Sequence, residues 1–102
     1  MSEWINATKA SELKPGNATV IAAGDREIAL FNVDGKFHAI DNRCPHRDGP
    51  LADGVLDGNV VVCPWHGWRF DVTTGVSPVM KSVSVEKFEV AVEGDGVKVK
   101  VD

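Results

Sequence analysis

The stretch Val83-Ser84-Val85-Glu86-Lys87-Phe88-Glu89-Val90-Ala91-Val92-Glu93-Gly94-Asp95-Gly96-Val97-Lys98-Val99-Lys100-Val101 sets the fold class. Val97, Val99 and Val101 alternate with Lys98 and Lys100, the period-two pattern of a strand with one buried and one wet face. Phe88, Val90 and Val92 alternate in the same way in the segment before. Between the two lies Asp95-Gly96, a pair that tolerates the positive φ of a tight hairpin turn. Val83 and Val85 have the opposite parity to Phe88, Val90 and Val92, which predicts a bulge or bend near Glu86-Lys87.

The same punctuation recurs outward from there. Asp-Gly stands at 34–35, 48–49, 53–54 and 57–58, with Gly24-Asp25 as a further turn candidate. The segments between are short and rich in Val, Ile and Phe, and they predict strands over 3–8, 18–23, 26–33, 36–41, 59–63, 68–72, 83–92 and 97–101. Only Ala10-Ser11-Glu12-Leu13 suggests a helical turn, ended by Pro15-Gly16. No segment sustains a 3.6-residue period. The expectation is an all-β chain, and 102 residues suit one domain over 1–102.

A composition of 43% hydrophobic and 25% charged residues is that of a globular protein and argues against disorder. The net charge of −4 supplies no basic face, so nucleic acid is not an expected partner. No run approaches the ~20 apolar residues of a membrane span. Met1-Ser2-Glu3-Trp4 lacks the basic and apolar regions of a secretory signal, and the expected location is the cytoplasm.

Three stretches break the strand pattern: 42–58, 63–69 and 73–78. The first contains Cys44-Pro45-His46 and the second Cys63-Pro64-Trp65-His66, with sixteen residues between His46 and Cys63. One Cys and one His two or three positions apart on a turn can reach one centre, and Pro45 and Pro64 stiffen those turns. Two cysteines that each neighbour a histidine point to a metal site in preference to a disulfide. Zinc is one candidate for four such ligands. Zinc fingers, however, usually pair Cys with Cys and His with His, whereas here each loop offers one of each. That mixed order fits a two-iron cluster.

Cys44-Pro45-His46-Arg47-Asp48-Gly49-Pro50-Leu51 and Cys63-Pro64-Trp65-His66-Gly67-Trp68-Arg69-Phe70-Asp71 resemble the paired motif of the Rieske-type [2Fe–2S] ferredoxins of bacterial aromatic-ring-hydroxylating dioxygenase systems. The resemblance extends over essentially the whole chain. It implies an antiparallel β-sandwich with a small cluster-binding subdomain, and one [2Fe–2S] cluster as cofactor. It further implies that Cys44 and Cys63 bind one iron and His46 and His66 the other, with Pro78 in a loop that covers the cluster.

A centre of that kind has two neutral imidazoles where four-Cys clusters have thiolates. An added electron is repelled less, and potentials lie at roughly −150 to +300 mV. The respiratory branch of the family carries an extra Cys in each loop, and Ser and Tyr hydroxyls that donate to sulfur. Here Gly49 and Trp65, and Trp68 and Phe70, occupy those positions. The expected potential is therefore near the low end, on the order of −150 mV.

The resemblance implies a soluble one-electron carrier, fed by a flavin-containing ferredoxin reductase and serving a terminal oxygenase. It is not itself an enzyme. A mononuclear iron site needs further histidines and a carboxylate, and only His38 remains beyond the four ligands. The alternatives are a Rieske-like small subunit of an assimilatory nitrite reductase and a zinc-stabilised interaction module. Asp48, Asp53 and Asp57 suggest salt-sensitive docking to basic patches. The remaining residues have blander readings: Trp4 in the core, His38 on a strand surface, Arg47-Asp48 as a turn ion pair, and Trp65 and Trp68 as packing that keeps water off the centre.

Overall fold

The computed structural model describes residues 3–24, 26–44, 49–64 and 67–101. Among these residues nine strands alternate with tight turns: β1 Glu3–Lys9, β2 Ala18–Ala23, β3 Arg26–Val33, β4 Lys36–Asp41, β5 Val55–Asp57, β6 Val60–Val62, β7 Arg69–Asp71, β8 Lys87–Glu93 and β9 Gly96–Val101. Short 3-10 turns cover Ala10–Glu12, where a helical turn is predicted, and Leu51–Asp53. All the pairings are antiparallel. One sheet runs β1-β9-β8-β4-β3-β2 and a second runs β5-β6-β7.

The β3–β4 hairpin shows how the sequence makes this architecture. Asp34 and Gly35 both adopt positive φ, 52° and 90°, the turn that matches the twist of the flanking strands. Register then follows from Val33↔Lys36 through to Ile28↔Asp41.

The large sheet is a sandwich because its middle is narrow. Only Ala39↔Phe88 and Ile40↔Lys87 join β4 to β8, so the halves β1-β9-β8 and β2-β3-β4 fold over each other. Ile28, Leu30, Ala39, Phe88, Val97, Val99, Leu13 and Ile21 fill the space between. The other face of the same strands forms a second core. Ala29 and Phe31 of β3 and Ile40 of β4 pack with Cys44, Leu51, Val61, Cys63, Phe70 and Val72. Over residues 28–32, all buried, strand β3 therefore has no wet face. The second core ties the small sheet and its turns to the sandwich.

Three expectations are corrected. The predicted strand 83–92 begins at Lys87, because Val83 and Val85 pack against the core that holds the cysteines while Phe88 joins the sandwich core. The parity change marks a crossing between cores, at the predicted place, and the Asp41 N–H donates to the Glu86 carbonyl there at 2.9 Å. Strand β5 lies inside the stretch 42–58 predicted as loop. Trp4 is not core: it pairs with Lys100 on the outward face of edge strand β1 and is 45% exposed, while Ile5 turns inward.

Candidate metal centre

Each cysteine opens a turn of the same construction. The Cys44 N–H donates to the Gly49 carbonyl at 2.9 Å, and the Cys63 N–H to the Trp68 carbonyl at 2.6 Å. One step outside each closure comes an antiparallel pair, Arg43↔Pro50 in the first turn and Val62↔Arg69 in the second. The two closures are thus alike, each with its Cys at the first position beyond the pair.

Both thiols are buried, with exposures of 0% for Cys44 and 2% for Cys63. They belong to one cluster of side chains with Leu51, Val61 and Phe70. Two buried thiols in a shared core, each at the mouth of a turn, suit soft metal ligands that need protection from water and oxidants. His46 and His66, with Pro45, Arg47, Asp48 and Trp65, lie outside the described residues. Their predicted roles stay where the sequence put them. Trp68 is half-buried and packs against the cysteine-bearing core, in keeping with the packing role expected of it.

The third stretch approaches the same core and is held by side-chain hydrogen bonds. The Asp71 carboxylate accepts from the Thr73 N–H at 2.8 Å and from Asn59 Nδ2 at 3.1 Å. Its carbonyl accepts the Gly75 N–H at 2.7 Å. Ser77 is fully buried; its hydroxyl accepts from the N–H groups of Met80 at 3.0 Å and Val79 at 3.3 Å. Pro78 is exposed and Val79 is 71% exposed at the tip of this turn.

His38 is half-buried on β4, a modest correction to the exposed position expected. Burial holds its pKa below the ordinary value, the nearby Lys87 pushes it the same way, and the Asp71 carboxylate partly opposes them. It lines a shallow groove with Phe37, Lys87, Phe88, Glu89 and Val90.

Sequence reasoning missed Asn42 and Gly54. Asn42 is buried and bonded at the base of the first turn. Gly54 lies with its Cα against the Val62 carbonyl, immediately before Cys63. Neither has a sequence signature, since each acts through a partner brought close only by folding.

Residues 3–89 match the Rieske [2Fe–2S] domain family. The ferredoxin component of the naphthalene 1,2-dioxygenase system of Pseudomonas aeruginosa is 34% identical over 100 residues, covering 95% of this chain and 94% of that protein. A solved complex of reduced oxygenase and oxidized ferredoxin in carbazole 1,9a-dioxygenase contains a chain 34% identical to this one. It superposes with a TM-score of 0.88 and covers 94% of this chain and 91% of that one. A protein named as an NADH-dependent nitrite reductase small subunit, from Mycobacterium tuberculosis, superposes with a TM-score of 0.91 at 24% identity, over 100% of this chain and 97% of that one. That likeness is one of fold.

Proposed function

The chain belongs to the Rieske [2Fe–2S] domain family, and we infer that it is a one-electron carrier between a flavin-containing reductase and a terminal ring-hydroxylating dioxygenase. The observation that carries this reading is the pair of buried thiols at matching turn closures, in a chain that aligns with 94% of a dioxygenase ferredoxin component. The cluster, when bound, supplies reversible uptake of one electron at a potential set by its ligands and surroundings.

The chain's own residues do the rest. With the cluster bound, Cys44 and Cys63 would hold one iron as thiolates, and His46 and His66 would hold the other. Leu51, Val61 and Phe70 exclude water from the protein side of the thiols. The apolar tip at Pro78 and Val79 and the exposed carboxylates of Asp53 and Asp57 suit brief, salt-sensitive docking. The carrier performs no oxygenation; the reacting substrate belongs to the oxygenase.

We read residues 1–102 as a single domain working in the cytoplasm. Among the described residues no helix is long and apolar enough to cross a membrane, and a net charge of −4 does not suit nucleic acid.

The test is an electron paramagnetic resonance spectrum of the dithionite-reduced protein, with iron and sulfide counted on the same sample. A rhombic signal with two irons and two sulfides is expected. Cys44→Ser, Cys63→Ser, His46→Ala and His66→Ala should each abolish it. A colourless protein with one zinc overturns the reading. Copurification with a large sirohaem-containing subunit, in place of turnover with a reductase and a dioxygenase, assigns the chain to nitrite reduction.

A further inference from the structure

The two turns are alike at their mouths and unlike at their bases. Beneath the Cys63 turn the stem is a ladder, Val62↔Arg69, Val61↔Phe70 and Val60↔Asp71, and β5 pairs along its other side. Beneath the Cys44 turn there is one bridge, Arg43↔Pro50. The chain then enters the 3-10 turn Leu51–Asp53, which cannot continue a ladder.

Asn42 stands where the next rungs would be. Its carbonyl accepts the Leu51 N–H at 2.7 Å, and its side-chain oxygen accepts the Ala52 N–H at 2.8 Å. Its own N–H donates to the Glu27 carbonyl at 2.9 Å, and Nδ2 faces the Glu27 carboxylate at 3.4 Å. The residue is 3% exposed. A backbone N–H needs an acceptor, so Oδ1 must face Ala52, and this places the amide donor toward Glu27. One side chain therefore joins both limbs of the turn to β3.

We propose that Asn42 is the positioning residue of the first ligand turn: its amide replaces the missing rungs and fixes Cys44 against Cys63. The proposal rests on the cluster reading above. Only an amide serves here. Alanine leaves the Ala52 N–H without its partner, and aspartate sets a second carboxylate beside Glu27.

Asn32 provides a matched control. It is also 3% exposed and its amide also makes two bonds, to the Leu13 carbonyl at 2.7 Å and from the Gly35 N–H at 2.8 Å. It sits toward the other end of β3, five residues and about 17 Å along the strand from Glu27.

The experiment compares cluster-loaded wild type, Asn42→Ala and Asn32→Ala. It reads thermal unfolding, the paramagnetic g-values, the midpoint potential, and the rate at which an iron chelator bleaches the visible absorption. Both variants should lose similar thermal stability. Asn42→Ala alone should bleach at least tenfold faster and show shifted g-values. Equal bleaching rates and unchanged spectra in the two variants overturn the proposal.

A second arm uses Asn42→Asp, which keeps the acceptor for Ala52, with and without Glu27→Gln, which returns a donor to the pair. Slow bleaching should be recovered in the double variant. A double variant that bleaches as fast as Asn42→Asp alone overturns the role given to Glu27. This arm also serves if Asn42→Ala does not fold. A wild type without two irons and two sulfides refutes the cluster reading and takes the proposal with it. A loaded wild type whose variants all behave alike refutes the role of Asn42 alone.

Discussion

Gly54→Ala tests whether the small sheet and the Cys63 turn are spaced by backbone contact. The φ of Gly54 is −77°, which any residue adopts, so the substitution carries no backbone strain of its own. Its effect is steric. A Cβ at this position falls well inside contact with the Val62 carbonyl oxygen, 3.0 Å from the carbonyl carbon and 3.1 Å from Val61 Cγ2. Carbon atoms pack at about 3.5–4.0 Å, so relief requires a shift of about 0.5–1 Å. The rung Val55↔Val62 immediately follows and resists that shift.

Overpacking of this kind costs about 1–3 kcal/mol. For a domain of this size each kcal/mol lowers the Tm by about 4–8 °C. Gly58→Ala is the comparison: its Cβ meets nothing within 4 Å, but its φ of +62° penalises a side chain, by about 1–2 kcal/mol. Both variants should melt early. Only Gly54→Ala displaces the residue before Cys63, so only it should alter the paramagnetic spectrum of the loaded protein. Thermal denaturation and that spectrum form the assay. A Gly54→Ala protein that melts within about 2 °C of wild type, with an unchanged spectrum, refutes the reasoning.

The other predictions concern charge, potential and packing. With its pKa held below the ordinary 6.5, neutral His38 contributes stability that is complete above pH 6.5 and is lost as pH falls through the folded value. His38→Gln should flatten the loss of stability in that window, read by denaturant unfolding at several pH values; an unchanged pH profile would count against it. Phe70 is fully buried in one cluster with both thiols. Phe70→Tyr should raise the midpoint potential by about 40–65 mV, if the hydroxyl gives the reduced state ~1–1.5 kcal/mol; an unmoved or lower potential contradicts it. Phe31→Ala empties the centre of the same core and should cost about 3–5 kcal/mol, read by urea unfolding. The Arg26–Glu86 pair is short, 2.6 Å, but its side chains are 47% and 49% exposed. A double-mutant cycle there should give no more than about 1 kcal/mol.

How much of this was legible in the sequence depends on whether the signal was local. The β3–β4 hairpin was fully legible, because Asp34-Gly35 dictates the turn and the turn dictates the register. Strand β9 was legible within one residue, since its alternation is set by the core beneath it. Strand β5 was hidden: two residues between Asp-Gly pairs carry too little pattern, and the strand exists because β6 is there to pair with it. Val83 and Val85 looked like strand because apolar alternation also serves residues that lean on a core without pairing.

At the centre, the two cysteines could be read from their histidine neighbours, and folding put their thiols in one cluster. The matching closures at the two cysteines, the clasp at Asn42 and the close approach at Gly54 could not. Each is a relation between residues eight or more apart in the chain, 42 with 52, 27 with 42 and 54 with 62 among them, and nothing local marks it.

The pairing of β1 with β9 has a consequence for how the molecule is made. Glu3 lies opposite Val101, so β1 finds its partner only when the chain through β9 has emerged. At about 5–20 residues per second, that wait lasts roughly 5–20 s. Both cysteine turns and the β3–β4 hairpin are synthesised within it, and the core around the thiols draws on no residue of β1 or β9. The thiol-bearing core can therefore pack while the sandwich still gapes, and the pairing of β1 with β9 closes the other core afterwards.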